Sequence, residues 1–111
     1  MTVADVAKNL SLKTLAGPFD ENIIVSECYI GDLLSWVMGR APADCMWITV
    51  MGNSNAVAVA KLADIVGIIL CENATLDEDA KKNAEQNRVA IYQSDKTAFQ
   101  LAVAFAKELG L

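Results

Sequence analysis

No histidine occurs among the 111 residues. Its absence removes the usual general base of Ser–His–Asp and Cys–His catalysis, and with it the commonest ligand of a zinc site. Cysteine is scarce as well: Cys28, Cys45 and Cys71 are odd in number, lie 17 and 26 positions apart, and form no C-x-x-C pair. A structural zinc site is therefore not expected, and the three read as reduced thiols packed in a core. Neither G-x-x-x-x-G-K-[ST] nor G-x-G-x-x-G is present, so the strong nucleotide-binding fingerprints are missing. There is no long basic run. Lys81, Lys82 and Arg88 share their segment with Asp77, Glu78, Asp79 and Glu85, and the net charge is −5. A nucleic-acid surface needs clustered cations to displace counterions from phosphates, so nucleic acid is not expected as a partner.

Long apolar runs are lacking too. The longest uncharged stretch, Cys45 to Ala60, is 16 residues and includes Thr49, Asn53, Ser54 and Asn55. A membrane-spanning helix takes about 20 apolar residues, so no membrane association is expected. The opening MTVADVAKNL, interrupted by Asp5 and Lys8, does not read as a secretory signal. These features predict a soluble, cytoplasmic protein.

What the chain does have is small aliphatic material. The apolar share is 54% before glycine is counted, yet aromatics amount to two Trp, two Tyr and three Phe. Soluble domains reach roughly 45–50% with glycine included. The excess implies either a generous core of small side chains or a buried self-association face, here a homodimer. The length predicts one domain over residues 1–111.

Periodicity gives the order of elements. Thr2 to Asp5 reads as a capped helix start, with Val3, Val6, Ala7 and Leu10 at helical spacing. Leu12–Leu15 is a short strand ended by Gly17-Pro18, and Ile23–Ile30 a longer one. Gly31-Asp32 introduces a helix over Leu33–Met38, with Asp32 as N-cap and Gly39 as its close. Strands are predicted at Cys45–Met51, Ile65–Cys71 and Val89–Tyr92. Between them fall a helix over Ala56–Ala63 and a second one, opened by a Thr75–Glu78 capping box, running to about Asn87. Ser94 or Asp95 caps a last helix carrying Phe99, Leu101, Phe105 and Leu109. This β-α-β-α-β-α alternation predicts an α/β fold: a three-layer α/β/α sandwich around a mostly parallel or mixed sheet.

One turn stands out. Trp47–Ala60 reads WITVMGNSNAVAVA, a strand passing through Gly52, Asn53, Ser54 and Asn55 into a helix. Open α/β sheets commonly bind ligands beyond a strand's carboxyl end, at a helix N-terminus. A nucleotide or other small anion is the ligand chemistry such a turn takes, although the nearest cation, Lys61, stands at the far end of the helix. The other reading is a turn with no ligand. Asp44 and Glu72 fall at opposite ends of strands and form no acid–base pair, and neither catalysis nor a cofactor is expected.

Three stretches together resemble a known family. GPFDENIIVSECYIGDLLSWVM is similar to the region naming the DRTGG domain and its Tyr-x-x-Asp-Leu-Leu segment, here Tyr29, Asp32, Leu33 and Leu34. MWITVMGNSNAVAVAKLADIVGIIL resembles the family's strand, asparagine turn and Ala-Val-Ala helix through Asn55, Ala58, Val59 and Ala60. RVAIYQSDKTAFQLAVAFAKELGL is similar to its closing strand and helix. Where the family shows Asp-Arg-x-x-x-Gly-Gly, this chain has Asn22–Cys28, without the arginine or either glycine. The resemblance implies a domain like the N-terminal domain of HPr kinase/phosphorylase and like inserts of CBS-containing pyrophosphatases. It further implies a non-catalytic regulatory role and oligomer contacts, and a protein partner is expected alongside the homodimer.

Overall fold

The computed structural model describes residues 1–111. Five helices and five strands alternate in the order α1 (Val3–Asn9), β1 (Lys13–Ala16), β2 (Cys28–Ile30), α2 (Leu34–Arg40), β3 (Met46–Thr49), α3 (Ser54–Leu62), β4 (Gly67–Leu70), α4 (Glu78–Asn87), β5 (Ile91–Gln93), α5 (Ala98–Glu108). The sheet runs β1-β5-β4-β3-β2. Strands β2 to β5 are parallel, and β1 joins β5 antiparallel, so the sheet is mixed.

Strand pleating explains the two cores. Trp47, Ile68, Leu70 and Ile91 point to one face, where Val37 of α2, Ala56, Val57 and Ala60 of α3, and Ala80 and Ala84 of α4 cover them. Met46, Ile48, Ile69 and Tyr92 point to the other, under Val3 and Val6 of α1 and Leu101 and Phe105 of α5. Three crossover helices thus line one face and the two outermost helices line the other. The surplus of alanine has a use here: small side chains on α3 and α4 let these helices lie close to the sheet and to each other. No helix is long and apolar enough to cross a membrane.

The structure corrects several local expectations. The strand predicted at Ile23–Ile30 is cut to three residues, because Ile23 and Val25 bond to the start of the chain instead. Val3 N–H donates to Ile23 O (3.0 Å) and Val25 N–H to Met1 O (2.9 Å). The Thr75–Glu78 capping box does not form, since Asp77 N–H donates to Gly52 O (2.9 Å) and α4 begins only at Glu78, with no side-chain cap. The last helix is capped by Thr97, with Gln100 completing a reciprocal capping box, not by Ser94 or Asp95. Ser94 and Lys96 are tied to the end of β4, which delays the helix start. Gly39 lies inside α2, which runs on to Arg40. The Thr2–Asp5 capping box forms as expected.

Candidate functional site

Beyond Thr49, the last residue of β3, the chain turns through Val50, Met51 and Gly52 to Asn53, the N-cap of α3. Asn53 Oδ1 accepts from Ala56 N–H at 2.9 Å, and Ser54 Oγ accepts from Asn83 Nδ2 at 2.9 Å. Both side chains are therefore engaged in fixing the turn, while Asn55 is exposed. Gly52 is required by packing: a Cβ there would overlap the Thr75 carbonyl oxygen and crowd its carbonyl carbon at 2.9 Å. The amides of Gly52, Asn53, Ser54 and Asn55 donate no hydrogen bond within the chain. They form an open cradle of N–H groups at the positive end of α3. No cation completes it, because Lys61 lies two turns away and donates to Asn87 O at 3.1 Å. A groove of about 340 Å³ starts at Ser54 and runs between α3 and α4 past Val57, Ala58, Asn83 and Asn87.

Ligands in open α/β sheets favour the point where neighbouring strands send their chains to opposite faces. Here that point lies between β4, which leads to α4 on one face, and β5, which leads to α5 on the other. It is laced shut. Glu72 N–H donates to Lys96 O, Asn73 N–H to Ser94 O and Ser94 N–H to Leu70 O, each at 2.9 Å. Gln93 Nε2 adds a bond to Ala74 O at 3.0 Å. The Gly52–Asn55 turn sits one strand away, where both flanking connections go to the same face.

Asp32 is a finding that sequence reading missed. It is not an N-cap; α2 starts after Leu33 without a side-chain cap. Its Oδ1 instead accepts from Thr49 Oγ1 (2.6 Å) and Val50 N–H (3.1 Å), tying the end of β2 to the end of β3. The neighbouring Cys71 thiol is buried, and burial pushes its pKa up, helped by the Glu72 and Asp32 charges. Cys28 is raised by burial and then by Glu27, and Cys45 is pushed to about 12 chiefly by burial. A nucleophilic thiol needs the opposite shift, so no cysteine here is tuned for attack.

Several large apolar side chains near Asp32 are exposed. Ile30 (47% exposed) and Val50 (43%) stand at the carboxyl ends of β2 and β3 on the α1/α5 side of the sheet, while Leu33 (60%) and Trp36 (55%) stand at the start of α2 on the other side. The sequence signal was available: Leu34, Val37 and Ala41 make the inward stripe of α2, leaving Leu33 and Trp36 on a second flank with Arg40. Leu33 and Trp36, three positions apart, are neighbours at the start of α2, and contiguous exposed apolar residues mark interaction surfaces.

No protein-family model matches the sequence, and no curated protein matches it. Among solved structures, the chain is similar to the CBS and DRTGG domains of the regulatory region of Clostridium perfringens pyrophosphatase, solved in complex with its activator, diadenosine tetraphosphate. The TM-score is 0.67 over 94% of this chain. The fold is DRTGG/CBS-like. Identity is 10%, and the chain spans 45% of the neighbour's length, so the likeness is one of fold. That neighbour is a regulatory region.

Proposed function

We propose that this chain is a non-catalytic regulatory module of the cytoplasm that works by self-association. The observation that carries the reading is the open edge strand β2 with exposed apolar side chains about its carboxyl end, Ile30 and Val50 on one face and Leu33 and Trp36 on the other. Leaving four such side chains in water forgoes roughly 25 cal/mol for each Å² that a partner would cover. The raised thiol pKa values are in keeping with a role that needs no nucleophile. Sedimentation of the purified protein over a wide concentration range tests it. A reversible homodimer is the expected result; a monomer at every concentration would refute the reading.

A second reading is favoured by a separate observation. The four unpartnered amides of Gly52–Asn55 suit a nucleotide or small anion, and the pyrophosphatase neighbour is itself complexed with a nucleotide activator. Thermal shifts with diadenosine tetraphosphate, ATP and inorganic phosphate test this reading. Ser54→Pro removes one amide at a helix position that tolerates proline. Combined with Asn53→Ala, it should abolish any rise in melting temperature. No rise with any of the three in the unaltered protein would count against the sensor.

A further inference from the structure

The hydrogen-bond phase of β2 says which of its backbone groups are free. Met46 N–H donates to Glu27 O (2.9 Å) and Gly31 N–H donates to Ile48 O (3.3 Å). Bonds to β3 therefore come from residues 27, 29 and 31, and the N–H and C=O groups of Cys28 and Ile30 face outward from the sheet. Natural edges are usually guarded by a charged side chain, a proline or a bulge. Cys28-Tyr29-Ile30 has none of these, and Ile30 is itself exposed. Leu33 and Trp36 add exposed apolar side chains at the start of α2, on the other face of the sheet from Ile30.

Resting on the self-association reading, we infer that the occupant of this edge is a second copy of the chain, added antiparallel to β2 about a two-fold axis at Tyr29. Two strands that meet edge to edge under a two-fold are antiparallel, and such an interface is self-complementary. This register places Cys28 opposite the partner subunit's Ile30 as a hydrogen-bonded pair, which uses the outward groups on both chains. The two Tyr29 residues then form the non-hydrogen-bonded pair, with Cα atoms about 4.5 Å apart. Charge agrees with this arrangement. Arg40 makes no ion pair within its own chain and stacks over Trp36 at 4.0 Å from the ring centroid. Because α2 runs back against β2, Arg40 lies toward the amino end of the strand. Antiparallel pairing brings the carboxyl end of the other β2, with the partner subunit's Asp32, to that place. The two five-stranded sheets become one continuous sheet.

Crosslinking tests the geometry apart from the stoichiometry. In a Cys28→Ser background, Tyr29→Cys should oxidise to an intermolecular disulfide in high yield, since the paired Cα separation lies within disulfide range. Thr14→Cys on the opposite edge should not. A light-scattering dimer without the position-29 crosslink would overturn the edge geometry and leave self-association standing. A monomer at all concentrations would overturn both. Hydrogen exchange on the unaltered protein provides a check free of substitutions. The Cys28 and Ile30 amides should slow on concentration by at least about tenfold; unchanged exchange in a proven dimer would refute the pairing.

Discussion

The two edges of the sheet are built to opposite specifications. At the β1 edge, Lys13 and Thr14 are exposed, the register to β5 shifts between Thr14 and Ala16, and Gly17-Pro18 follows at once. The helix α4 guards this side. Glu85 accepts from Gly17 N–H at 3.3 Å, and Lys81 lines the same shallow groove as Lys13. Charge, irregular pairing and a missing donor are how natural sheets avoid pairing with a neighbour. The β2 edge carries regular parallel pairing, outward amides and large apolar side chains. A sheet that needed only to stay monomeric would guard both edges. One edge is closed and the other is not, and the proposed self-association uses that asymmetry.

The largest effect comes from breaking the framework that both edges share. Gly52→Ala drives a methyl into the Thr75 carbonyl, where overpacking costs on the order of 1–3 kcal/mol or more. Chemical denaturation should show that loss, with dimerisation weakened only as far as the fold is lost. Next in size is Trp36→Glu, which places a charge in the apolar patch of an already exposed residue. Affinity between copies should fall at least about 100-fold, a hot-spot effect. The isolated subunit's unfolding free energy from urea denaturation, measured at a concentration where the parent is also monomeric, should stay within about 0.5 kcal/mol of the parent's.

Thiol chemistry sharpens the contrast at smaller amplitude. Alkylation at neutral pH should be slow at Cys28, Cys45 and Cys71, because burial raises all three. Cys28, half-buried on the open edge, should label several-fold faster in the Trp36→Glu protein, while buried Cys45 and Cys71 should not change. Folding favours the protonated Cys45 thiol. Its contribution to stability is therefore complete below the ordinary thiol pKa of 9.0 and is lost as pH rises towards about 12. The smallest effect belongs to the guarded edge. Lys13→Ile removes one guard among several, so only weak additional association at high concentration is expected by light scattering.

Much of the layout could be read from residue patterns. Runs such as Gly67–Leu70 are apolar throughout because the strand is covered on both faces, and that is visible in composition alone. The small-residue helix α3 and the Thr2–Asp5 cap were equally local. What escaped was set by distant partners. Asp32 looked like a cap because caps are common before helices, but Thr49 and Val50, 17 and 18 residues on, claim its carboxylate. Thr75 looked like a cap until Gly52 drew the 75–77 segment into its turn. The Gly52–Asn55 turn is legible in the chain order, whereas its place in the sheet is not. Only the strand order shows that the sheet's switch point is elsewhere and closed. The open edge was hidden for the same reason, since no sequence pattern says which strand is last.

The most direct test of the account is sedimentation equilibrium of the unaltered protein beside the Trp36→Glu and Lys13→Glu variants. A reversible dimer is expected for the unaltered chain and for Lys13→Glu, and a monomer for Trp36→Glu. A dimer that survives Trp36→Glu yet dissociates with Lys13→Glu would contradict this expectation by assigning the interface to the guarded edge.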